Sequence, residues 1–388
     1  MPARLRSAQI YALNIPFQLA ITHASHTRSA SDSVILRLEF DDGSVGYGEA
    51  VPRPYVTGET VSSVLDQLEQ HISAELIDRE MPSLCEAGPD QLHAINPLLP
   101  KNQRHQGIIA SHAARAALEV ALLDAMTRSA GLSISAVLPP QKESVTYSGL
   151  LPQVSNEYAV QLVRMQKAYG ISRIKIKVGD AGDVKRLRLV RQELGPDFEL
   201  YVDANCAWTP DEAIERIAAL AEHNIGLVEQ PIPRGDVAEL HRIRQSSAVP
   251  IMVDESLVTV ADAQRLIDSK ACDIFNIRIS KCGGLSNCLK LAEMAEQAGL
   301  DYQLGAHVGE TSILSAAGRQ LGLALPKARY VEGSSGNFLL SEDLCAQPIK
   351  FEQGGRGPML IGMGLGVEVE RERLQRLSIQ NRMVGATP

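Results

Sequence analysis

The sequence predicts an α/β fold: a closed (β/α)8 barrel of parallel strands, preceded by a separate α+β domain. Three observations predict it. Lys177, Asp203, Glu229, Asp254 and Lys281 recur at gaps of 26, 26, 25 and 27 residues, each closing a short apolar run: RIKIKVG, LYVDAN, GLVEQP, IMVDES and FNIRISKCGG. Stretches that read as helices lie between these runs, and one ionisable group at each strand's end places the set around one rim of a barrel. The first 135 residues differ in character: strands come first and helices after, the order of a separate α+β unit.

Taken in order, residues 1–60 read as β structure. SDSVILRLEFDDGSVGYGEA holds two strands joined at Asp41-Asp42-Gly43, a hairpin signal. Residues 60–135 read as helical. SHAARAALEVALLDAM spaces apolar and small residues at the helical period, and Gly131 follows as a stop. Barrel strands are expected to begin near residues 145, 173, 199, 226, 250, 273, 301 and 329, the first of them VTYSGLL. Thr209-Pro210-Asp211-Glu212 starts a helix: Thr209 caps, Pro210 fits the first turn and Glu212 completes a capping box. Gly170, Gly195 and Gly299 stand where helices should stop. An open doubly wound sheet is the rival arrangement. It calls for a glycine-rich phosphate loop after an early strand, and neither GLLPQ nor KVGDAG supplies one. The tail GMGLGVEVERERL is glycine-rich, then charged, and is expected to return to the N-terminal domain. The expected boundaries are 1–135 for the α+β domain with its lid loops, 136–350 for the barrel and 351–388 for the returning segment.

Bulk properties narrow the function classes. The 388 residues are 45% hydrophobic and 22% charged, with a net charge of −8. That charge argues against nucleic acid or an anionic membrane as the main partner. MPARLRSAQIYAL lacks the apolar stretch of a signal peptide, and no run of about 18 apolar residues suits a membrane span. Cys85, Cys206, Cys272, Cys282, Cys288 and Cys345 form no CxxC pair and no zinc-like spacing. Inert thiols in a reducing cytoplasm are expected. The expectation is a cytoplasmic homo-oligomer without nucleic acid or membrane as partner.

Asp203, Glu229 and Asp254 close three consecutive strands and would converge at the carboxyl-end rim. Three carboxylates without histidine or cysteine make a hard oxygen site, which selects magnesium, or manganese, over zinc. Asn205 and Glu255, just beyond two of them, read as supports for the ligands. Helix caps and ion pairs are the bland alternative, favoured for any one of the three but not for three in register.

Lys175 and Lys177 lie two apart on a strand and share a face, with Ile174, Ile176 and Val178 on the other. Both then point into the barrel, where a lysine needs a partner or a job. Two close ammonium groups repel, so at least one pKa is expected to fall, toward that of a usable base. Lys281, about four strands further round, would face the pair across the barrel mouth. Neutralising the carboxylates is the structural alternative for these lysines, and the two roles are compatible.

With these residues in place, the chain resembles the enolase superfamily and, within it, the muconate lactonizing enzyme subgroup. GEAVP, AARAALEVALLDA, KIKVG, YVDAN, VEQP, VDES, SKCGGLS and GMGLGVEVE occur in that order across nearly the whole chain. No single motif is specific; the ordered set is. The resemblance implies a capping domain over a modified TIM barrel, with one magnesium held by Asp203, Glu229 and Asp254. It implies Lys177 and Lys281 as acid/base groups, with Lys175 tuning Lys177. The common step is removal of the proton α to a carboxylate, giving an enediolate that the metal stabilises. Lys281 sets the chain apart from the mandelate racemase branch, which looks for a histidine–aspartate pair, so His307 reads as a substrate contact or a packed histidine. Glu310, within GAHVGETSILSAAGR, aligns with the glutamate of the subgroup's G-x-M-L-E stretch. The aspartate pair that marks dipeptide epimerases on the eighth strand is replaced by Glu332-Gly333-Ser334, and Glu332 is either a partner for a substrate ammonium or structural. ITHASHTRS and VPRPYVTGET stand where a lid is expected. His23, Arg53 and Tyr55, with Ser148 on the first strand, are candidate substrate contacts.

The leading expectation is 1,1-proton transfer. One lysine removes the α-proton and the other returns it on the opposite face, racemising or epimerising an amino-acid derivative. Cycloisomerisation of a muconate-like diacid and dehydration of the succinylbenzoate-synthase kind are the alternatives. Two readings come from other classes. A Schiff-base aldolase needs no carboxylate triad and would be trapped by borohydride; a binding protein without catalysis would be expected to have lost one of the five groups.

Overall fold

The computed structural model describes residues 3–23, 26–82, 84, 88, 90–101 and 108–385. Eight parallel strands follow one another around the sheet: Gly149–Leu151, Arg173–Lys177, Glu199–Asp203, Val228–Glu229, Ile251–Val253, Ile274–Ile277, Asp301–Leu304 and Tyr330–Val331. A parallel bridge between Tyr147 and Val331 brings the last strand back to the first, with the Ser148 N–H donating to the Val331 carbonyl at 3.0 Å. This is the expected modified barrel with its capping domain. The first strand departs from the expectation. Ser144–Thr146 pairs antiparallel with Arg356–Pro358, and only Gly149–Leu151 joins the barrel ladder. The Tyr147 N–H bonds to the Gly355 carbonyl at 2.7 Å, so the early half of VTYSGLL is held by the C-terminal segment.

Local signals explain where helices begin and end. Thr209 and Glu212 cap Pro210–Ala221 reciprocally, and Thr259 and Asp262 do the same for Val260–Asp268. Inside the barrel the strands alternate by level. Tyr201, Leu227 and Met252 each lie two residues before Asp203, Glu229 and Asp254, so they share the inward face one level down. With Ile274 and Tyr330 they form a separate buried cluster, the apolar floor of the barrel, where the Tyr201 and Tyr330 rings stack at 4.8 Å. The charged groups stand directly on this floor.

The N-terminal domain is a four-stranded antiparallel sheet in the order Ser378–Gly385, Leu5–Leu13, Val34–Phe40, Val45–Ala50, with a separate hairpin of Ile15–His23 and His26–Ser31. The expected turn at Asp41-Asp42-Gly43 forms, with Gly43 at φ +86°. Helix His112–Ser129 lies so close to strand Val45–Ala50 that Cβ atoms on Gly46 and Gly48 would stand 2.3 and 1.9 Å from the carbonyl oxygens of Ala121 and Ala117. GYGEA and AARAALEVALLDA are thus two sides of one contact. Glu49, fully buried, reaches across to the barrel. It accepts hydrogen bonds from the Thr311 and Leu314 N–H groups at the start of helix Ser312–Ala324, where a helix favours negative charge. Among the described residues no helix is long and apolar enough to cross a membrane.

Candidate active site

Strand register gathers the spaced residues at one level. Lys177 stands opposite Asp203, Asp203 opposite Glu229, and Lys175 opposite Tyr201 one level below. Asp254 follows the fifth strand directly. Lys281 sits on the single turn Ile279–Cys282 after the sixth strand. All are buried.

The ammonium groups bind the carboxylates directly. Lys177 Nζ donates to Asp203 Oδ2 at 2.6 Å and to Asn205 Oδ1 at 2.7 Å. Lys175 Nζ lies 2.6 Å from Glu332, 3.3 Å from Glu229 and 3.4 Å from Asp203. Lys281 Nζ donates to Asp254 Oδ1 at 2.8 Å and to the carbonyls of Asp254 and Asn276, both at 2.7 Å. Arg278 pairs with Asp254 and reaches Glu229 at 3.5 Å. Asn205 also donates to Glu255 at 3.3 Å, while the other Glu255 oxygen is buried with no hydrogen-bond partner.

At Lys175 attraction outweighs the expected repulsion between the two lysines. Burial works against the Lys175 charge, but Glu229, Glu332 and Asp203 outweigh it and raise its pKa well above the usual value. Repulsion between the two lysines does not win there, because three carboxylates lie within 3.4 Å of one ammonium. The acids carry the strain instead. Burial, then the Asp203 charge, raises Glu229 to about 8; burial, then Asp254 and Asp203, raises Glu255 to about 7. The cluster holds more negative charge than its own cations relieve. That surplus, with an all-oxygen donor set, fits a hard divalent cation such as magnesium. Among the described residues no three acidic, histidine or cysteine groups converge on one point; each of the three carboxylates faces an ammonium or guanidinium group.

A cavity of about 450 Å³ opens above this cluster. Lys175, Lys177 and Arg278 line it together with His307, Glu310 and Glu332, and Ser148 lies on its wall. His307 is buried among cations: burial first, then Arg278 and Arg53, lowers its pKa well below the usual value, so the ring is neutral. Burial raises Glu310 to about 8, and its side chain accepts the backbone N–H of His307 at 2.6 Å. Glu332 is engaged by Lys175 and by the Tyr201 hydroxyl at 3.1 Å. Lys281 is not among the described lining residues. Neither is Arg53, which is buried and bound to Asp32 at 2.8 Å and to the Val308 carbonyl at 2.7 Å, nor Tyr55. His23 ends a strand, and its side chain falls outside the described residues, as Cys85 does entirely. Sequence reasoning missed Arg278 and Asn276. Their signal was present: in FNIRIS they alternate with Phe275, Ile277 and Ile279 and so face inward, as Lys175 and Lys177 do.

Residues 6–138 match the family model described as the mandelate racemase/muconate lactonizing enzyme N-terminal domain, and residues 157–373 match the enolase C-terminal domain-like model. The chain belongs to this family. A hydrophobic dipeptide epimerase of Enterococcus faecalis is 32% identical over 327 residues, which cover 83% of this chain and 87% of that one. The crystal structure of the N-succinyl Arg/Lys racemase of Bacillus cereus superposes with a TM-score of 0.87 at 26% identity, over 98% of this chain and all of that one. The E. faecalis dipeptide epimerase complexed with Mg and L-Leu-L-Tyr superposes with a TM-score of 0.84 at 29% identity, over 95% of this chain and 100% of that one. These relatives are epimerases and racemases, and with them this chain is an isomerase of the enolase superfamily.

Proposed function

We propose that the protein is a magnesium-dependent racemase or epimerase that removes the proton α to the carboxylate of an amino-acid derivative. One observation carries the reading: two buried lysines from different parts of the barrel, Lys177 and Lys281, grip Asp203 and Asp254, the outer two of three neighbouring strand-end carboxylates. Asp203, Glu229 and Asp254 would hold the ion, with Asn205 and Glu255 supporting them. When bound, it would offset the charge that builds on the substrate carboxylate as the α-proton leaves. Lys177, on the cavity wall, takes that proton. Lys175 stays charged because Glu229, Glu332 and Asp203 hold it, and it stands as a fixed cation one level below Lys177. Lys281 returns a proton on the opposite face once it gives up its contact with Asp254. His307 and Glu310 border the substrate from the seventh-strand loop. Because Glu332 is engaged by Lys175, a free substrate ammonium finds no unused carboxylate there. This favours an N-blocked amino acid over a dipeptide with a free amine.

One observation favours a second reading, cycloisomerisation of a muconate-like diacid. Lys281 is absent from the described cavity lining, and a one-lysine reaction needs only Lys177. Deuterium uptake at the α-carbon from D2O, measured with Mg2+ over N-acyl amino acids, dipeptides and muconates, separates the two. Replacing Lys177 with Ala should cut uptake by about 10²- to 10⁴-fold. A Lys177→Ala/Lys281→Ala double variant that exchanges at the wild-type rate would end the assignment.

A further inference from the structure

We propose that the cavity has a second, apolar compartment at the barrel seam, which takes an uncharged apolar group carried by the substrate beside its reacting carbon. The inference rests on the proton-abstraction reading for the position of that carbon. The cavity runs without interruption from Lys175 and Lys177, past Gly149 and Leu150 on one side and Gly333 and Gly336 on the other, to Leu162, Met165, Tyr169, Phe338 and Phe351.

The opening has a structural cause. Among the described residues, the Tyr147–Val331 bridge just before the first strand is the one ladder contact to the last strand, so beyond it no ladder closes the wall. Glycines at 149, 333 and 336 put no side chain into the gap. Behind it the aromatic rings are ordered against one another. Phe338 and Phe351 stack at 5.2 Å, and Tyr169 stands edge-on to both at 6.4 and 6.1 Å. Met165 is nevertheless 67% exposed and Phe338 56% exposed. Large apolar side chains clustered at the mouth of a cavity mark a binding groove more often than a scattered surface. No charged residue lines this end among the described residues. Its one amide, Gln166, is engaged with the Leu150 carbonyl at 3.0 Å. An ionic group would therefore lose its hydration there without a partner, whereas an acyl chain or ring would gain by burial.

The apolar group has two possible sources, the N-substituent or the side chain of the reacting amino acid. Two ligand series distinguish them: N-acylalanines of rising acyl length, and N-acetyl amino acids of rising side-chain length. Calorimetric Kd values with Mg2+ are paired with α-deuterium uptake. Affinity should rise about fourfold per added methylene in one series until the compartment is full. In Phe338→Ala the gain should fall below about twofold, by loss of the burying surface. In Leu162→Trp, which fills the space, it should vanish. Exposed Ile361, outside the lining, serves as a control: Ile361→Ala should keep the wild-type slope. Affinity independent of length in both series overturns the proposal, and so does a slope unchanged in both Phe338→Ala and Leu162→Trp. A length-dependent affinity without deuterium uptake upholds the compartment and rejects the proton-abstraction reading instead.

Discussion

Removing the Lys175 ammonium should expose how much of this protein's stability is held in its charged cluster. Among the described residues its Nζ is the only cation within 3.4 Å of Glu332, Glu229 and Asp203 together, and all of these carboxylates but Glu332 are fully buried. Lys175→Met keeps the volume of the stem and deletes the charge. Removing one partner of a buried ion pair leaves an uncompensated charge and costs about 3–5 kcal/mol. Glu229, already raised to about 8 by burial and by Asp203, can take up a proton and absorb part of this, so the lower end of about 3 kcal/mol is expected near pH 8. Urea denaturation of wild type and variant, in EDTA and in saturating Mg2+, measures it. A cation bound at 100 times its Kd adds about 2.7 kcal/mol to wild type. It should add more to the variant, where it also replaces the missing charge. A variant within about 1 kcal/mol of wild type in EDTA would refute the idea that Lys175 compensates this cluster.

Three further outcomes are expected. Asp203→Asn should weaken Mg2+ binding by about tenfold or more, on the scale of lost supporting contacts around a metal; unchanged calorimetric affinity would remove Asp203 from the ligand set. His112, held neutral with its pKa lowered to about 4 chiefly by burial, contacts the Lys281 carbonyl through Nδ1 at 2.7 Å. His112→Ala should lower kcat roughly tenfold or more with little change in KM, because Lys281 loses its placement. His112→Asn, which keeps a donor, should recover much of it, and a change confined to KM would contradict a positioning role. Glu59 accepts the Ala113 and Ala114 N–H groups, and burial raises its pKa to about 7. A raised carboxyl contributes stability that is full below its unfolded pKa and is lost as pH rises through 7. The loss is on the order of 3 kcal/mol. Glu59→Gln should flatten that part of the profile, and urea midpoints at pH 5 and pH 8 that fall in parallel for both proteins would show that Glu59 does not titrate there.

Much of the fold was legible because it is written in local periodicity. The barrel units follow from one apolar run per helix, and the helix starts from Thr209 with Glu212. The hairpin at Gly43 follows from a turn that needs a positive φ. The break in VTYSGLL was not legible, because what pulls Ser144–Thr146 out of the barrel is Arg356–Pro358, more than 200 residues away. Among the site residues, strand alternation located Lys175 and Lys177 on one face and strand ends located Asp203, Glu229 and Asp254, and alternation applied to FNIRIS would have added Arg278. It could not show that Arg53 turns inward to Asp32 and Val308, since both partners come from other segments.

The sequence by itself determined which side chains share the barrel's inward face and which chemistry they can support, because strand pairing with a period of two sorts residues by parity alone. Only the tertiary structure decided how their charges balance. Whether Lys175 is a weakened or a strengthened acid depends on Glu229 and Glu332, 54 and 157 residues away along the chain. Coulomb interactions between buried groups are set by distances that no local pattern records. The seam between the first and last strands is decided in the same way, by where a closing barrel runs out of partners.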